Sequence, residues 1–98
     1  MKKRTYKQSQ DLFYGSLMAL GWRVSSPYLK VRWAESQGVR LWFKPQAIYI
    51  GPAGSGARLG DARSATYDFI NNRHVDLRLL SVDQFERWAQ ALADRGVS

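Results

Sequence analysis

Two alternating runs constrain this chain more than any other feature. In Tyr28-Leu29-Lys30-Val31-Arg32-Trp33 the apolar residues Leu29, Val31 and Trp33 alternate with polar or amphipathic ones, and the alternation resumes in Val39-Arg40-Leu41-Trp42-Phe43-Lys44. A period of two belongs to a strand with one face buried, and two such runs joined by a short glycine-containing loop form a hairpin. Ala34-Glu35-Ser36-Gln37-Gly38 is read as that loop. In the simplest register Trp33 faces Val39, Val31 faces Leu41 and Leu29 faces Phe43, making a continuous apolar face for packing under helices. The reverse face then pairs Arg32 with Arg40, Lys30 with Trp42, and Tyr28 with Lys44.

Helical signals flank the strands. Leu12, Phe13, Leu17 and Leu20 recur at helical spacing, with Ser9 as the expected cap and Gly21 as the stop. At the other end, Ser81-Val82-Asp83-Gln84 has the capping-box pattern, followed by the apolar stripe Val82, Phe85, Trp88, Ala89 and Leu92, and by Gly96. Ala47-Ile48-Tyr49-Ile50 reads as a third strand. Residues 51–60 hold four of the eight glycines and read as a loop. Asp61 would cap a short helix through Thr66, Tyr67, Phe69 and Ile70, and Val75, Leu77 and Leu79 suggest a brief fourth strand. The expectation is an α+β domain of order α-β-β-β-(short α/β)-α. Its antiparallel sheet of three to four strands carries the N- and C-terminal helices on one face. A basic tail is expected over residues 1–8 and the domain over 9–96.

Ninety-eight residues suffice for one core, since a chain of this size buries roughly two-thirds of its unfolded surface. The absence of cysteine rules out disulfides, thiolate zinc sites and cysteine nucleophiles, and suits the reducing cytoplasm. No apolar run approaches the length of a membrane span. Net charge is +7, and the first half carries all of it: nine Lys and Arg stand there against Asp11 and Glu35, whereas residues 50–98 hold six of each sign. A field concentrated in this way attracts polyanions.

Catalytic signatures are absent. His74 is the sole histidine, so one chain cannot build a multi-histidine metal site, and no serine stands in a glycine-flanked elbow. Gly60 is followed by Asp61 and Ala62 rather than the lysine and hydroxyl residue of a nucleotide-binding loop. Main-chain amides near Gly56 to Gly60, together with Arg58, Arg63 and the start of the following helix, form a candidate secondary anion site. The element order resembles that of the double-stranded RNA-binding domain. However, Leu59-Gly60-Asp61-Ala62-Arg63 replaces the lysine cluster that opens that family's last helix, and no family is assigned.

The expected function is therefore non-enzymatic binding, with no cofactor or metal. Lys30, Arg32, Arg40 and Lys44 would meet nucleic-acid phosphates while Tyr28, Trp42 and Tyr49 stack on bases, and Lys2, Lys3, Arg4 and Lys7 add affinity from the tail. The alternative is a protein-interaction module or homodimer that turns the same face, or a sheet edge, toward an acidic protein partner.

Overall fold

The computed structural model describes residues 3–68 and 73–96. Its elements are helix α1 (Tyr6–Ala19), strands β1 (Arg23–Val24), β2 (Arg32–Ser36), β3 (Val39–Phe43) and β4 (Ile48–Pro52), a 3-10 turn at Leu59–Asp61, strands β5 (Arg63–Ser64), β6 (Tyr67–Asp68) and β7 (Arg73–His74), and helix α2 (Val82–Arg95). The first five strands form one antiparallel meander in chain order, and β6 pairs with β7 separately. The α+β class and the two terminal helices are those expected.

The hairpin differs from its expected register, and the reason lies in the turn. Gln37 and Gly38 alone connect β2 to β3, with φ of 55° and 80°. Two central residues of positive φ meet the condition of a type I′ turn, whose twist matches that of the strands it joins. Ala34, Glu35 and Ser36 therefore belong to β2 rather than to a loop, despite their poor strand propensity. Trp33 faces Trp42, Glu35 faces Arg40, and Arg32 faces Phe43. Relative to the simple register, Trp33 has moved by three positions, and an odd shift carries every β2 side chain to the opposite face.

The core confirms this reversal. Val39, Leu41 and Phe43 lie in the buried cluster as expected, joined by Ala34 from β2 and by Ile48 and Ile50 from β4. They pack with Phe13, Tyr14 and Leu17 of α1 and with Phe85, Ala89 and Leu92 of α2. The rings of Phe13 and Phe85 stack with centroids 4.0 Å apart, joining the helices over the sheet. Leu29 and Trp33, expected in this core, are outside it. Leu29 is 49% exposed in a turn before β2.

Three other expectations are corrected. Thr5, not Ser9, caps α1, through a capping box with Gln8. Ser9 is buried inside the helix and accepts a hydrogen bond from Arg4 Nε at 3.1 Å. No helix runs through Asp61, Thr66 and Tyr67. The chain there makes a single 3-10 turn and short strands, while Phe69, Ile70, Asn71 and Asn72 lie outside the described residues. Leu77 and Leu79 belong to a turn, not a strand.

Arg4, expected in the tail, is a structural clamp. Its Nη2 donates to the carbonyls of Leu77 and Leu80, and its guanidinium lies 5.3 Å from the Phe13 ring centroid. The cation thus ties the N-terminus of α1 to the segment that leads into α2. Hydrogen bonds from a charged donor are worth about 1.5–3 kcal/mol. Arg4→Ala should lower stability by about that amount in urea denaturation with the m-value unchanged; a loss under about 0.5 kcal/mol, the scatter of ordinary surface changes, would contradict the clamp.

Candidate nucleic-acid interface

The register decides where the expected binding residues stand. On the face of the sheet turned away from the helices, Trp33, Trp42 and Tyr49 form one row across β2, β3 and β4, and Glu35, Arg40 and Gly51 form the next. This face is largely closed. Trp42 is 4% exposed. Its ring runs over Gly51, where Cζ3 stands 3.0 Å from the place a Cβ would occupy, with Ala62 beside it. A side chain at 51 would crowd the indole there.

Arg40 is equally unavailable. Its Nε and Nη2 both bond Glu35 Oε2 at 2.8 Å, Nη2 also donates to Gly54 O at 3.2 Å, and the guanidinium lies 3.6 Å from the Trp33 ring centroid. Gly54 N–H completes the set by donating to Glu35 Oε2 at 3.4 Å. Arg40 and Trp42 are thus the interior of a second, smaller core beneath the glycine-rich loop. The expected opposition of Arg32 and Arg40, two like charges, does not arise. Each arginine meets a carboxylate instead.

Arg32 lies on the helix side of the sheet, 4.6 Å from the Tyr14 ring, where its Nη2 pairs with Asp11 at 2.7 Å. The expected stacking of Lys30 on Trp42 is absent too. Lys44 instead lies over Tyr49, at 4.9 Å, on the face turned away from the helices. The secondary anion site loses its helix, Arg58 is paired with Asp61 at 3.6 Å, and Arg63 stands on β5 opposite Ile50.

The structure brings together a different set, at one end of the sheet. β2 begins with Arg32 where β3 ends with Phe43, so Lys30, Arg32 and Lys44 share that end with Tyr49 and with the turn bearing Tyr28. Helix α1 joins them: Gln10 Nε2 donates to the Lys44 carbonyl at 2.7 Å, and Lys7 pairs with Asp11 at 3.2 Å. Lys7 and Arg32 thus share the Asp11 carboxylate, while Lys44 turns to Tyr49 and Lys30 is exposed in the bend before β2. The hydrogen bond from Arg32, and after it that from Lys7, holds the Asp11 carboxyl below its ordinary range, so it stays ionised and keeps both cations in place.

Sharing of this kind recurs. Glu35 serves Arg23 as well as Arg40, and Asp76 serves Lys3 and Arg78. One carboxylate per two cations leaves each group net positive, so pairing does not discharge the surface. Lys7, expected as a tail cation, stands in α1, while Asp11 and Gln10 were not legible as site residues because no local pattern shows how that helix docks on the sheet. The two-residue turn Gln37-Gly38 was the available signal for the true register. Among the described residues no group of three or more His, Asp or Glu side chains converges as a metal site, and no helix is long and apolar enough to cross a membrane.

No protein-family model, curated protein or solved structure matches the chain.

The buried pair carries a direct test. Arg40→Ala would leave the Glu35 carboxylate without its main partner in a dry site, a change that costs about 3–5 kcal/mol. Denaturant unfolding should show a loss of that size, and the joint replacement Glu35→Leu with Arg40→Met should recover most of it. A loss below about 1 kcal/mol for Arg40→Ala would mean that the pair is solvated like a surface salt bridge.

Proposed function

We propose that this chain is a non-enzymatic binding protein of the cytoplasm that takes nucleic acid at the end of its sheet where β2 begins and β3 ends. The observation that carries this reading is the placing of Lys30 and Lys44 at that strand end, next to the group Lys7, Asp11 and Arg32 and with the rings of Tyr28 and Tyr49. The role assigned to Arg40 and Trp42 is withdrawn, because a buried guanidinium and a buried indole cannot meet a ligand without opening the smaller core. Arg32, its side chain 12% exposed and paired with Asp11, is withdrawn as a phosphate contact for the same reason, while Lys30, Lys44, Tyr28 and Tyr49 keep their roles in a new place.

Electrostatics supports a polyanion over a neutral partner. Lys7 and Arg32 share one carboxylate, and Lys30 and Lys44 add two positive charges at the same strand end, within a molecule of net charge +7. Phosphate binding by such a cluster releases counterions, so affinity falls steeply with salt. The ammonium of Lys44 is held above Tyr49, where cation–π attraction contributes about 0.5–1 kcal/mol at an exposed site, which orients the charge before a ligand arrives.

Fluorescence anisotropy of labelled RNA and DNA oligonucleotides across a salt series tests this. On single strands the log–log slope is about −0.7 per phosphate contacted, so the Lys30→Ala, Lys44→Ala double variant should flatten it by about 1.4. Both side chains can be shortened without touching the core. A slope unchanged in the double variant, or absence of binding at low salt, would remove nucleic acid from this surface.

A further inference from the structure

The turn between β1 and β2 holds an aromatic ring almost entirely in solvent, which is unusual for a side chain whose burial would stabilise the fold. Tyr28 is 94% exposed. The turn beneath it is nevertheless firmly anchored. The Ser25 carbonyl accepts from the Tyr14 hydroxyl, and the Ser25 amide donates to the Trp33 carbonyl at 2.9 Å. Ser25 Oγ accepts from the Trp33 amide at 3.0 Å. One residue thus fixes the base of the turn to α1 and β2 together. Ser26 then organises the tip: its Oγ accepts from Tyr28 N–H at 3.2 Å and its carbonyl from Leu29 N–H at 3.4 Å. Pro27 between them has a fixed φ.

We infer that this tip is the base-recognition element of the proposed interface, and that its ligand is an unpaired nucleotide whose base stacks on Tyr28 while its phosphate meets Lys30. The inference rests on the nucleic-acid reading above and narrows it from nucleic acid in general to single strands. A turn whose backbone is already anchored needs no ordering of its own when a ligand covers the ring. Tyr28 and Lys30 are two residues apart, a chain length of at most about 7 Å, so a single nucleotide can reach both. In a duplex each base face is already stacked on its neighbours, and the ring would have nothing to cover. Single strands expose those faces, and every base presents one, so the contact has little sequence preference.

Charge favours an anionic occupant over a neutral one, and the free ring face beside it suits a nucleotide, which carries a base and a phosphate together. Lys30 is exposed two residues beyond Tyr28, and residues 1–49 hold the whole net charge of +7, an environment suited to repeated phosphates.

The test compares a fluorescein-labelled oligouridylate with an RNA duplex of the same length, at low salt, for the intact chain and for Tyr28→Ala and Tyr28→Phe. Because the ring makes no core contact, thermal midpoints should be unchanged, which separates binding from folding. Tyr28→Ala should weaken single-strand binding about 5- to 150-fold, the range for loss of one base–aromatic stack. Tyr28→Phe should retain affinity, and duplex affinity should not respond to either change. Equal response of both probes, or single-strand binding that ignores Tyr28→Ala, would overturn this inference alone and leave the ring to a protein partner. Absence of binding to either probe by the intact chain would overturn the nucleic-acid reading beneath it.

Discussion

The ion pair of Arg40 and Glu35, stacked on Trp33, is the interaction on which the arrangement of the sheet depends. Removing two charges from water is costly, and the cost is offset only where geometry is good and the remaining donors are satisfied. Here the guanidinium makes two bonds to one carboxylate oxygen and one to the Gly54 carbonyl, and the other carboxylate oxygen lies 3.4 Å from Arg23. Any slip of the β2–β3 register by one position would place Arg40 opposite Ala34 or Ser36 and send Glu35 to the other face, parting the buried guanidinium from its carboxylate. The pair therefore opposes alternative registers, while the Gln37-Gly38 turn favours the native one.

From that register the distribution of surfaces follows. With Arg40 and Trp42 enclosed beneath the glycine-rich loop, the sheet is covered on both faces: by the helices on one side, and by loop 53–62 over part of the other. What remains open are the edges and ends. The strand end shared by Arg32, Lys44 and Tyr49 is also the end to which α1 brings Lys7 and Asp11. The fold thus concentrates charge at an end rather than displaying it across a face.

Much of this architecture was legible in the chain. The capping box at Ser81 and Gln84, the apolar stripe of Phe85, Ala89 and Leu92, and the inward set Val39, Leu41 and Phe43 are read from spacing and found in place. Local rules succeed where local physics decides. They misplace β2 because its true extent, Arg32–Ser36, holds alanine, serine and glutamate, which have little strand propensity of their own. Those residues are strand because of their partners: Ala34 packs against the core, and Glu35 neutralises Arg40. Tyr28, Leu29 and Val31 have the better pattern and are not in a strand at all. At the proposed site, Lys30, Lys44, Tyr28 and Tyr49 lie toward one strand end, whereas the pairing of Lys7 with Asp11 and the bond from Gln10 to Lys44 depend on how a helix docks, which no local pattern encodes.

The most direct measurement is a two-dimensional NMR titration of the labelled chain with single-stranded oligonucleotide, following backbone amides and tryptophan indoles together. Binding at the sheet end should move the amides of residues 7–11, 28–32 and 44–49 while the Trp42 indole and the amides of 53–62 stay still. Perturbation centred on the Trp42 indole and the glycine-rich loop, with 28–32 and 44 unmoved, would show that the closed face opens to the ligand and would contradict the placement of the site at the end of the sheet.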